Sequence, residues 1–127
     1  MKSMKIATIA TLLTVLAAPV LAQGDAAKGE KVFKKCAACH AVGPDAKNKV
    51  GPTLNGIMNT EAAANPDFKY SKGMIAAAEG GLVWNTENMT AFLTKPKALV
   101  KGTKMGFAGL RKEADIENIL AYLATFE

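Results

Sequence analysis

The chain has two cysteines and one histidine, and all three stand in the stretch Cys36-Ala37-Ala38-Cys39-His40. Thiols three positions apart lie near each other on one turn of helix. An imidazole tied directly to the second thiol must sit over whatever the thiols grip. Three chemistries use such groups. A closed zinc site normally takes four protein ligands, and this chain offers only three Cys and His side chains. A dithiol–disulfide pair uses the thiols but does not need His40. Covalent attachment of a c-type haem uses all three: the thiols add to the two vinyl groups along one porphyrin edge, and the histidine reaches the iron. Cys36 and Cys39 are therefore read as haem attachment sites and His40 as an iron ligand, with one haem c as cofactor.

An iron with His40 on one side has a second axial position, and its occupant decides the function. There is no other histidine. Beyond the first residues the methionines are Met58, Met74, Met89 and Met105. Core packing is the ordinary role of methionine, and Met74 and Met89 fit apolar helical faces. Met58 stands near Gly51-Pro52, on the side of the chain that leaves His40. Met105 sits in Lys101-Gly102-Thr103-Lys104-Met105-Gly106-Phe107, with no helical stripe to serve. It is far enough along the chain to return on the opposite face.

The elements that must position these residues follow a leader. Lys2 and Lys5 precede an uncharged, mostly apolar run from Ile6 to Ala18; Pro19 breaks it, and Val20 and Ala22 are small. This predicts a secretory signal peptide over 1–22, cleaved after Ala22, and one domain over 23–127. The apolar run is short beside the roughly 20 residues a spanning helix needs, and no other stretch could span a membrane. Loss of the two leader lysines lowers the net charge from +5 to +3. That is mildly basic and unlike a nucleic-acid binder. Export to the periplasm agrees with the cysteines, because bacteria attach haem to apocytochromes outside the cytoplasm.

Asp25 is placed to cap a first helix, whose Ala26, Gly29, Phe33 and Cys36 share a face. Gly29 weakens that helix, which points to close approach by another. Ser71 caps a short helix through Met74, Ile75 and Ala78, stopped by Gly80-Gly81. Asn85 or Thr86 caps a third, with Met89, Phe92 and Leu93 inward and Pro96 as its limit. The clearest helix is the last, where Ile116, Ile119, Leu120 and Leu123 form a stripe behind acidic Glu113 and Asp115. It is expected to cross the first helix at Gly29 and Phe33. No strand pattern of useful length occurs. The fold class is all-α with long loops, and loops of that length need something to pack on.

These features together resemble a class I c-type cytochrome of the bacterial cytochrome c₂ kind. The likeness runs over residues 24–127. It rests on Gly24-Asp25 to His40, Gly51-Pro52-Thr53-Leu54, Phe68-Lys69-Tyr70, Trp84, Leu93 with Pro96, Lys104-Met105-Gly106-Phe107 and Ala121-Tyr122-Leu123. The resemblance implies a small fold whose terminal helices cross, with loops wrapped around one covalent haem. It makes His40 and Met105 the axial ligands and gives the Pro52 carbonyl to the far ring nitrogen of His40. It assigns Tyr70 and Trp84 to a buried propionate, with Thr103 supporting that region, and Tyr122 to the helix crossing. Relatives often carry a tyrosine where Phe92 stands, an arginine somewhere in the stretch from Gly56 to Ala64, and an aromatic at Leu99.

The expected function is a monomeric, soluble, periplasmic one-electron carrier that is not an enzyme. Its partners would be acidic docking surfaces: a cytochrome bc-type complex as donor, and a terminal oxidase, photosynthetic reaction centre or periplasmic reductase as acceptor. The alternative is a small haem enzyme or gas-binding protein with an open sixth position.

Overall fold

The computed structural model describes residues 24–127; the signal peptide expected over 1–22 lies outside the described residues. Helix α1 (Ala26–Phe33) starts where Asp25 Oδ1 accepts the backbone N–H groups of Ala27 (2.9 Å) and Lys28 (3.2 Å). These are donors that a helix start leaves without partners. Helix α2 (Lys72–Glu79) is capped by Ser71, whose Oγ accepts Met74 N–H at 3.0 Å, and ends at Gly80. Helix α3 (Thr86–Thr94) is capped by Asn85, not Thr86, through Asn88 N–H at 2.8 Å. Pro96 does more than limit α3: it opens a further short helix, α4 (Pro96–Leu99), for which its fixed φ and missing N–H suit it. Helix α5 (Glu113–Leu123) has Glu113 and Asp115 in its first turn, as expected. Among the described residues the only extended pairing outside the helices is an isolated bridge, Glu61 to Val83.

The expected crossing of the terminal helices is the main packing event. Gly29 is buried, and a Cβ there would run into the Asn118 backbone oxygen and lie 2.7 Å from Tyr122 Cβ. The missing side chain thus lets two backbones touch, and that contact offsets the helix propensity Gly29 gives up. Phe33 packs obliquely on Tyr122 with ring centroids 5.6 Å apart. Asn118 Oδ1 also accepts the Asp25 N–H at 2.8 Å, joining the start of α1 to the middle of α5.

The α5 stripe is buried throughout, as are Met89, Phe92 and Leu93 of α3. Val32 is buried as well, a core position on α1 that the expected face omitted. Helix α2 differs: none of its residues is buried, and Ile75 is 43% exposed. Its Met74, Ala77 and Ala78 are partly buried and pack against the edge of the core.

Candidate functional site

Beyond α1 the chain keeps turning. Cys36 and Ala37 N–H both bond the Phe33 carbonyl, and Cys39 and His40 N–H both bond the Cys36 carbonyl. The attachment stretch is therefore a continuation of the helix that crosses α5. Neither cysteine is in a disulfide; Cys36 is half-buried and Cys39 exposed. Burial pushes the Cys36 thiol up, against the pull of Lys35.

His40 sits against the next loop. Gly51 N–H bonds the Cys39 carbonyl at 2.9 Å, and Leu54 N–H bonds the Ala41 carbonyl at 3.1 Å. These bonds lay Gly51 flat on the imidazole: a Cβ there would run into Cε1, with Nδ1 at 2.8 Å and Nε2 at 2.9 Å. The Pro52 carbonyl then meets His40 Nδ1 at 2.7 Å. A carbonyl only accepts, so Nδ1 carries the proton and the neutral ring presents its lone pair at Nε2. Burial holds the His40 pKa below its ordinary value; the Pro52 bond opposes that, and the charge of Lys49 adds to it. The ring is thus neutral, oriented and ready to bind a metal through Nε2.

Tyr70 Oη accepts the Asn65 N–H at 3.1 Å, which leaves its own O–H free to donate. Trp84 is buried on Phe92, with centroids 4.9 Å apart, and its backbone pairs with Asn59 and Thr60. Met105 is half-buried, and its N–H bonds Thr103 Oγ1 at 3.2 Å. Lys104 Nζ donates to the Lys69 carbonyl at 3.0 Å, which joins the Met105 loop to the Tyr70 loop. Of the competing methionines, Met89 is in the core of α3, while Met58 and Met74 are half-buried beside it.

Sequence reasoning missed three contributors: the contact of Gly51 with the ring, the Lys104 tie, and Asn48. The Gly-Pro pair was a usable signal for Gly51. Nothing in the local pattern marks Asn48.

The residues fit a haem. Two unpaired thiols and an oriented imidazole lie on one turn. Leu54, Ile57, Met58, Leu99, Met105 and Phe107 are apolar yet only partly buried, leaving surface that a large flat apolar group would cover. Among the described residues no three His, Cys, Asp or Glu side chains cluster as a metal-binding set. No described helix is long and apolar enough to cross a membrane.

A helix crossing closed at a glycine, with C-x-x-C-H just past it, defines a c-type cytochrome. The cytochrome c family model matches residues 26–127. The chain belongs to the cytochrome c family of electron-transport haem proteins, and its cofactor is one covalently bound haem c, with Cys36 and Cys39 in the attachment spacing. It is 50% identical over 101 residues to cytochrome c2 of Agrobacterium tumefaciens (strain II Chrys), covering 80% of this chain and 91% of that protein. It is 44% identical over 125 residues to cytochrome c2 of Rhodomicrobium vannielii, covering 98% and 97%. The solved structure of cytochrome c2 from Rhodospirillum centenum superposes with a TM-score of 0.78 at 45% identity, over 82% of this chain and 99% of that one.

Proposed function

We propose that the chain is a soluble periplasmic one-electron carrier with His40 and Met105 as axial haem ligands. In this reading residues 1–22 are a signal peptide removed on export, and 23–127 are the working domain. Cys36 and Cys39 form the thioethers. Tyr70 and Trp84 donate hydrogen bonds to a propionate, and Thr103 steadies the Met105 loop. The observation that carries the reading is the state of His40: its Nδ1–H is fixed on Pro52, and among the described residues no hydrogen bond engages its Nε2, one residue from an attachment cysteine.

Bound haem supplies reversible one-electron exchange at iron. The chain's part is to hold two donors in place and keep water away from them. The Met105 sulfur at the iron would favour the ferrous state, and a dry pocket would disfavour the extra charge of the ferric one, so both would raise the reduction potential. With His40 and Met105 both holding the iron, no position would be left for a substrate, which would separate a carrier from a haem enzyme or gas-binding protein. The partners fitted to this reading are acidic surfaces: a cytochrome bc-type complex on the donor side, and an oxidase, reaction centre or reductase on the acceptor side.

The visible spectrum of the holoprotein tests it. A weak far-red band in the ferric state reports methionine sulfur on iron, and the ferrous form should take up carbon monoxide slowly. Rapid uptake with no far-red band would instead support an open-site enzyme or gas-binding protein.

A further inference from the structure

We infer that Asn48 is a positioning residue: it sets the strength of the His40–Pro52 hydrogen bond by gripping the other end of the same peptide unit. The Pro52 carbonyl and the Thr53 N–H share one planar peptide group. His40 Nδ1 holds the carbonyl end at 2.7 Å, and Asn48 Oδ1 accepts the Thr53 N–H at 3.0 Å. A donor and an acceptor engaged at opposite ends polarise the group between them, and each bond strengthens the other. A stronger pull on Nδ1–H makes Nε2 a better donor to a bound metal. Better donation favours the ferric state and lowers the reduction potential.

Both polar atoms of the Asn48 side chain are engaged in this arrangement. Its Oδ1 also accepts Asn65 Nδ2 at 3.0 Å, and its Nδ2 donates to the Asp67 carbonyl at 3.2 Å. Two donors meet Oδ1 and one acceptor meets Nδ2, so the amide cannot be reversed without losing all three bonds. Asn65 in turn gives its own N–H to Tyr70 Oη. One hydrogen-bonded path therefore runs from His40 through the Pro52–Thr53 peptide, Asn48 and Asn65 to Tyr70. It gives the histidine side and the Tyr70 loop a common support.

Asn55 provides the control. It closes the adjacent loop on Gly43 with bonds of 2.8 and 2.7 Å, without touching the Pro52–Thr53 peptide. The experiment uses holoprotein, a redox titration, and the His40 Nδ1 proton resonance in the ferrous form. Asn48→Ala should move the resonance upfield and speed exchange of the Thr53 amide. It should also raise the ferrous-to-ferric ratio several-fold at a fixed potential. Asn55→Ala should lower stability and leave the resonance and the potential in place. Should Asn48→Ala fail to fold, Asn48→Asp keeps the Oδ1 acceptor for the Thr53 N–H and gives up the donation to the Asp67 carbonyl; its stronger acceptor should move the resonance downfield and lower the potential. An unmoved resonance in both Asn48 variants, or an equal shift in Asn55→Ala, overturns the inference. It rests on His40 being an axial ligand, and the two failures are distinct. A spectrum without His ligation removes the proposed function, whereas a normal spectrum with an unresponsive Nδ1 proton removes only the role of Asn48.

Discussion

His40 and Met105, the two proposed axial ligands, are held in different ways. His40 follows a turn continuous with α1, its ring lies on Gly51, and its Nδ1 is fixed by Pro52 at 2.7 Å. The loop behind it is tied down in turn by Asn48. Met105 hangs in a loop without regular structure, anchored near the sulfur's own residue by one 3.2 Å bond from its N–H to Thr103. Next to it, Lys104 reaches the Lys69 carbonyl through a flexible side chain. One ligand is set by helix packing and backbone contact, the other by a few replaceable hydrogen bonds. The histidine side should therefore fail only with the fold, while the methionine side should open by itself.

The largest expected effect tests the first half of that contrast. Gly29→Ala places a methyl against the Asn118 backbone oxygen, so α1 and α5 must move apart. We expect a loss of about 3 kcal/mol, the upper end of what overpacking costs, read from urea denaturation of the holoprotein. Gly43→Ala has nothing within 4 Å to meet and only its φ of +105° to contend with. It should cost about 1 kcal/mol of backbone strain. Equal losses at the two glycines would mean that the helix crossing is not what anchors the histidine side.

The second test opens the methionine side. Met105→Ala should leave the covalent haem in place, remove the far-red band, lower the potential and admit carbon monoxide to the ferrous form. Met89→Ala should cost about 2–5 kcal/mol of packing, because Met89 is buried in α3, and leave the spectrum as it was. If Met89→Ala opened the iron and Met105→Ala did not, the assignment of the sixth ligand would be wrong. A milder version is Thr103→Val, which keeps the shape and removes the one bond to Met105 N–H. It should cost about 1 kcal/mol and raise the rate of carbon monoxide entry without altering the resting spectrum.

The same contrast explains what was legible in the sequence. Caps at Asp25, Ser71 and Asn85, and the stripe of α5, are local patterns in which side chain and backbone lie within a few residues. Gly29 was legible because a glycine inside a helix needs a reason. The hold on His40 came from family likeness, since no periodicity predicts which carbonyl a loop will present. Asn48 and Asn65 were invisible because their partners lie 5 and 17 residues away across irregular chain. Helix α4 was missed because four residues are too short to show a period. Val32 was left out because the expected face followed the spacing toward Cys36, whereas α1 buries Gly29 and Val32 together.

The smallest effect concerns docking, and the structure sharpens it. Lys34, Lys35, Lys97, Lys101 and Lys104 are all exposed, and no Asp or Glu lies between Glu87 and Glu113. We expect these lysines to ring the haem edge and steer it toward an acidic partner, speeding encounter more than they tighten binding. Screening acts over about 8 Å at physiological ionic strength, so electron transfer to the partner should slow steeply with added salt. Lys104 cannot be read as a pure charge, because its Nζ also bonds the Lys69 carbonyl. Charge and tether separate in two variants. Lys35→Glu should slow transfer at low salt and leave the far-red band untouched. Lys104→Met removes one charge and the tether together, so it should slow transfer less and also weaken the far-red band. Lys28→Glu and Lys112→Glu, away from both segments in sequence, should matter least. Stopped-flow rates against ionic strength would show this order; a flat salt response, or equal effects at Lys28, Lys35 and Lys112, would put the contact on an apolar patch or on another face.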